Sequence, residues 1–223
     1  MKNIMNQFAV TGIVLLSVSS PAYAEPQLYE TGPSEESSYV RFVNVTEGDV
    51  AIAAAKGKEK MLSAQADGRV SRFFKIKTGA KLSATIKNTS GSAAVEVVGK
   101  PWEFITVAVI QQDAKHLKIM QIKETPTEFS GSRASLALLN LDEKCSSAVL
   151  PAHDKDAAIT YEVKPFSLQR HLINSDKQPA VIKCKDDAVA VDLSHLEPGE
   201  RYSAFMFSLK NVRQTFIVRD DKK

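Results

Sequence analysis

Leu196-Glu197-Pro198-Gly199-Glu200-Arg201-Tyr202, followed by the alternating run Ser203-Ala204-Phe205-Met206-Phe207-Ser208-Leu209, is the stretch that decides the fold. Pro-Gly forces the chain to cross over, because proline presets one φ and glycine accepts the positive φ that closes the turn. Leu196 is placed to plug the core beneath the crossing, and the Tyr202 hydroxyl can bond back to the backbone of the turn. An ordinary Pro-Gly turn leading into a strand accounts for the same residues, so the surrounding pattern has to arbitrate.

That pattern is sheet throughout. From Tyr39 onward, short apolar segments, many of them alternating, are separated by Gly, Asn, Asp, Ser and Lys clusters. Candidate strands in the first half are 39–45, 50–54, 69–76, 81–87, 93–98, 104–110 and 117–122. In the second half they are 134–141, 147–150, 157–163, 167–173, 181–183, 188–193, 202–209 and 215–218. The alanines of 51–65 favour helix, but Lys56-Gly57-Lys58 in their middle reads as a hairpin turn. With this setting the corner Leu196, Pro198, Gly199 and Tyr202 resembles the tyrosine corner of fibronectin type III domains. The expected fold is all-β: two small antiparallel β-sandwiches, immunoglobulin or fibronectin III-like, joined by a short linker.

Residues 1–24 read as an export signal: Lys2, an apolar run from Phe8 to Val18, then Ala22-Tyr23-Ala24 before Glu25. The run is shorter than the ~20 apolar residues that span a bilayer, so no membrane span is expected once the leader is cleaved. The polar stretch 123–132, with Pro126 and Gly131, reads as a linker between an N-terminal domain at 25–122 and a C-terminal one at 133–223. The halves open alike. Val40, Phe42 and Asn44 match Leu136, Leu138 and Asn140, a faint sign of duplication in which the apolar pair points inward and the asparagine turns the chain out of its strand.

The formal charge of +3 comes from 29 basic and 26 acidic residues that are interspersed, which does not suggest nucleic acid. Cys145 and Cys184 are the only cysteines, an oxidising compartment such as the periplasm allows them to pair, and a disulfide between them is expected. Catalysis has one candidate: Asp192-Leu193-Ser194-His195 supplies the base and orienting acid of SGNH-type acetyltransferases and esterases. The nucleophile is the difficulty, since Gly48-Asp49-Val50 lacks the hydroxyl that a Gly-Asp-Ser motif provides. His116, His153 and His171 lack the spacing of a metal site, and no glycine-rich phosphate loop is present, so no metal or cofactor is expected. Trp102, beside Pro101, reads as the cover of a sandwich core, with a sugar platform as the alternative.

Leu28-Tyr29, Pro33 and Ser38-Tyr39-Val40-Arg41-Phe42-Val43-Asn44 resemble the opening of the alginate O-acetylation adaptor family AlgF. The resemblance is carried by Leu28, Tyr29, Val40, Arg41 and Asn44. It implies a periplasmic, non-catalytic adaptor in O-acetylation of a secreted exopolysaccharide, alginate or alginate-like. Its implied partners are a membrane-bound O-acyltransferase and a periplasmic SGNH-type acetyltransferase, and the polysaccharide itself is a further candidate. Arg41 alternates outward from Val40 and Phe42, so it reads as a partner contact or a strand-surface arginine. The competing readings are an SGNH-like acetyltransferase or esterase using His195 and Asp192, and a carbohydrate-binding or chaperone-like module.

Overall fold

The computed structural model describes residues 36–55, 57–153, 158–174, 180–185 and 187–221. The leader, and Leu28, Tyr29 and Pro33 of the motif, lie outside them. The described chain is all-β apart from one 3-10 turn at Ala66–Gly68, and among these residues no helix is long and apolar enough to cross a membrane.

The first half contributes β1 (Ser37–Val45), β2 (Val50–Ala54), β3 (Lys60–Leu62), β4 (Phe74–Lys77), β5 (Lys81–Asn88), β6 (Gly91–Val98), β7 (Phe104–Gln111) and β8 (Leu117–Glu124). The second contributes β9 (Ala134–Asn140), β10 (Ala148–His153), β11 (Ala158–Val163), β12 (Ser167–Ile173), β13 (Ala180–Cys184), β14 (Asp187–Val191), β15 (Arg201–Leu209) and β16 (Val212–Arg219). The sheets run β4-β1-β7-β8 and β3-β2-β5-β6, then β12-β9-β15-β16 and β11-β10-β13-β14. Adding eight to every label of the first pair gives the second pair, so the duplication extends to the entire topology.

Two expectations about the sheets need correction. They are not wholly antiparallel: β1 runs parallel to β7, and β9 parallel to β15. Each parallel pair is joined through five intervening strands, ample chain for the crossover that parallel pairing requires. Nor is the strand order that of an immunoglobulin constant domain, which groups its strands A, B, E and D against C, F and G. Lettered in the same way, each half here reads D-A-G-H over C-B-E-F. Short connections keep the hairpin partners β2 and β3, and β10 and β11, in one sheet.

Three apolar layers follow from the two-residue period of the strands. Val40, Phe42, Ile105 and Val107 face Val50, Ile52, Ile86 and Val97 inside the first sandwich. Leu136, Leu138, Ala204 and Met206 face Leu150, Tyr161 and Ile182 inside the second. The opposite faces of the same central strands meet each other: Val43, Val45, Ala108, Ala137, Leu139, Phe205 and Phe207 form a third buried cluster between the sandwiches. Residues 35–223 accordingly cohere as one compact unit.

Candidate functional site

Arg41 stands on the face of β1 that carries Val43 and Val45, so the second sandwich covers it. The expectation of an outward surface arginine is overturned: Arg41 is 3% exposed. Strand period had aimed it away from its own core, but that direction leads into the other half. Its Nε donates to the Thr106 hydroxyl at 2.9 Å, one Nη to Asp220 at 2.7 Å and the other to the Ser203 hydroxyl at 2.8 Å. The guanidinium also lies 4.3 Å from the centre of the Phe73 ring and 5.0 Å from that of Phe205.

A second crossing bond returns the other way. Arg170 of β12 donates through Nε and Nη2 to Glu124, the last residue of β8, and through Nη2 to Asp220 at 2.8 Å. Glu124 and Asp220 are spaced as Asn44 is from Asn140, so each half offers an acid at the same place and receives an arginine from its neighbour. Burial favours protonation of Asp220, but Arg41 and Arg170 outweigh it and hold the carboxyl below its usual range.

Arg201, the first residue of β15, completes the cluster with three guanidinium groups against two carboxylates. It lies between the rings of Phe104 and Phe129, 5.4 and 5.6 Å from their centres, and 3.7 Å from Glu124. None of its side-chain nitrogens makes a hydrogen bond. Burial, with Arg170 nearby, lowers its pKa. A recess of about 350 Å³ opens beside it, lined by Glu128, Phe129, Gly131, Gly199 and Ser135.

The two asparagines of the duplicated motif are fully buried ties rather than mere chain-turners. Asn44 donates to the carbonyls of Gly48, Leu62 and Ser63 and accepts from the Thr46 N–H and hydroxyl. Asn140 donates to the carbonyls of Cys145 and Val163 and accepts from the Asp142 N–H. Each thereby fixes the loop after a central strand to the end of β3 or β11.

The corner at Leu196–Tyr202 has a counterpart that the sequence reading missed. The Gly199 N–H donates to the Arg133 carbonyl at 3.0 Å, Glu200 closes the turn onto Glu197 at 3.2 Å, and Ser135 bonds the Glu200 carbonyl at 2.9 Å. In the first half the Trp102 N–H donates to Ser37 at 2.8 Å, Glu103 closes onto Lys100 at 3.1 Å, and Tyr39 bonds the Glu103 carbonyl at 2.8 Å. Pro101-Trp102-Glu103 therefore repeats Pro198-Gly199-Glu200. Gly199 has φ +81° and Trp102 has φ +62°. Trp102 is 57% exposed, so it does not cover a core end as expected; the left-handed backbone swings it outward. Leu196 is buried, and the Tyr202 hydroxyl accepts from the Glu197 N–H at 3.1 Å and reaches the His195 carbonyl at 3.4 Å.

Asp192 and His195 lie on the loop leading into this corner, with side chains 66% and 88% exposed and 3.5 Å apart. The Asp192 carboxylate accepts the Ser194 N–H at 2.9 Å, and bonds from Ser194 hold its pKa below the ordinary value. They border a shallow groove between β14 and β16 that Tyr202, Thr215 and Arg219 also line. Among the described residues, no three of His, Cys, Asp and Glu gather as metal ligands. Cys145 and Cys184 are bonded, tying the loop after β9 to the end of β13 inside the second core.

No protein-family model matches the chain, and no curated protein matches it. Among solved structures it is similar to a candidate cell adhesion protein from Bacteroides uniformis, at 7% identity over 85% of this chain and 99% of that one, with a TM-score of 0.30. It is similar also to the Bacillus anthracis TIE protein, at 11% identity over 76% of this chain and 33% of that one, TM-score 0.25. A fimbrial assembly protein from Parabacteroides distasonis shares 9% identity over 83% of this chain and 98% of that one, TM-score 0.24. At these scores the likenesses carry nothing about function.

Proposed function

We propose that the protein is an exported, non-catalytic adaptor in O-acetylation of a secreted exopolysaccharide of the alginate type. In this reading it works in the periplasm and holds a membrane-bound O-acyltransferase to a periplasmic SGNH-type acetyltransferase. The resemblance over Leu28, Tyr29, Val40, Arg41 and Asn44 is the starting point. The observation that supports it most is the crossed pairing of Arg41 with Asp220 and of Arg170 with Glu124. Those pairs fix two sandwiches as one scaffold, which suits a part that sets the distance between partners. The disulfide suits an oxidising compartment. Asp192 and His195, for their part, sit on an exposed turn that their own hydrogen bonds shape.

Purified protein should retain both enzymes in a pull-down and should turn over no acetyl ester by itself. Empty pull-downs would remove the adaptor reading. Acetyl-ester turnover lost on His195→Ala would replace it with the hydrolase reading.

A further inference from the structure

Trp102 occupies a turn position at which the fold asks for glycine. Its counterpart in the second half is Gly199, with the same three backbone hydrogen bonds and the same left-handed φ. A side chain is disfavoured there because its β-carbon crowds the neighbouring carbonyl. A bulky residue in such a position needs a gain to offset the strain. Burial does not supply that gain, since the residue is more than half exposed.

The turn that displays the ring is firmly held. The Ser38 hydroxyl donates to the Lys100 carbonyl at 2.8 Å, and the Lys100 N–H donates to the largely buried Glu103 carboxylate at 3.0 Å. Lys123 reaches across to the Val98 carbonyl at 3.0 Å and to Glu103 at 3.4 Å. Gly99 lies so close to Ser38 that a β-carbon there would fall 2.3 Å from that side chain. A flat aromatic face is thus presented on a pre-organised mount, with exposed Lys100 two residues before it in the same turn.

We propose that Trp102 is a stacking platform for a sugar ring of an acidic glycan. One face of a pyranose is lined by C–H groups that pack on an indole, while its hydroxyls stay in water; a single rigid, exposed aromatic meets that need. Lys100 supplies a cation for the sugar carboxylate. A tryptophan anchoring a protein partner normally sits within a water-excluding ring of contacts; here its exposed chain neighbours are only Val98, Lys100 and Pro101, a narrow rim that includes a cation. This inference goes beyond the adaptor reading, which needs only protein docking.

Trp102 is the sole tryptophan, so intrinsic emission reports this site alone. Titration with a uronate oligosaccharide should give a saturable emission change and matching calorimetric heat, and a neutral glucan oligomer should bind more weakly. Trp102→Ala and Trp102→Gly should each lower affinity at least tenfold, the calorimetric heat reporting for both. The glycine variant should melt no lower than the parent, because Gly199 already fills the same turn. Lys100→Gln should weaken the uronate and leave the neutral oligomer unchanged. Constant emission and flat heats with both sugars at millimolar concentration would overturn the proposal. So would an emission change produced only by the acetylation enzymes, which would assign the ring to protein docking while leaving the adaptor reading intact.

Discussion

The guanidinium of Arg41 and the carboxylate of Asp220, 179 residues apart in sequence, meet at 2.7 Å with 3% and 2% of their side chains exposed. Such a pair is weak testimony to net stability, since desolvating both charges offsets much of their attraction. Removing one partner is another matter, because the survivor stays buried and uncompensated. Arg41→Ala should therefore cost about 3–5 kcal/mol in urea unfolding. Arg41→Lys should recover little, since one ammonium on a flexible stem does not reproduce a planar fork that spans Thr106, Ser203 and Asp220. A loss below ~1 kcal/mol for the alanine variant would mean that the junction opens readily to water.

Acid should release the same clasp. The folded pKa of Asp220 is depressed, so its contribution is complete above the unfolded value of about 3.9 and fades as pH falls through the lower folded value. The stability gap between the parent and Asp220→Asn should be constant from pH 5 to 8 and shrink below about pH 4. Unfolding midpoints measured across that range check the sign: a gap that widened in acid would contradict the pairing.

Arg41 also shows where sequence reading stops. The two-residue period placed it correctly, on the face opposite Val40 and Phe42, and the missing step was to see what covers that face. A strand cannot reveal whether its outer side meets water or a second sheet. The signal lay in its neighbours: Val43 and Val45 share Arg41's face, and a strand apolar on both faces belongs in the middle of a stack. The parallel pairs β1–β7 and β9–β15 were beyond reach, because periodicity carries no information about direction. Pro101-Trp102-Glu103 stands 97 residues before Pro198-Gly199-Glu200 (198 − 101), one more than the 96 between Asn44 and Asn140 (140 − 44), so alignment on the asparagines leaves the two turns out of step by one residue and hides the match. Tryptophan hid it too, being a residue that the turn itself would never select.

Asn44 and Asn140 should be among the most sensitive positions outside the apolar layers. Each substitution by alanine removes the partner of a buried N–H and of one or more buried carbonyls, and an orphaned group costs about 1–3 kcal/mol. Asn44→Ala should exceed Asn140→Ala, since the Asn44 amide lies within hydrogen-bond reach of five partner atoms and that of Asn140 of three. Chemical denaturation of the two single variants gives the ranking, and equal losses would show that the Asn140 loop relies on this tie as heavily.

The Cys145–Cys184 bond tests whether the two sandwiches share their stability. It closes a loop of 39 residues within the second half alone, a constraint worth about 4 kcal/mol in the chain-entropy account. Cys145→Ala combined with Cys184→Ala should lower the melting temperature and speed hydrogen exchange at β10, β13 and β14, the strands nearest the bond. If the Arg41–Asp220 and Arg170–Glu124 pairs and the Phe205–Phe207 layer couple the halves, β1 and β7 should lose protection as well. Unchanged exchange in β1 and β7 would mean that the first sandwich keeps its structure without help from the second, and that the charged junction only aligns two self-sufficient folds.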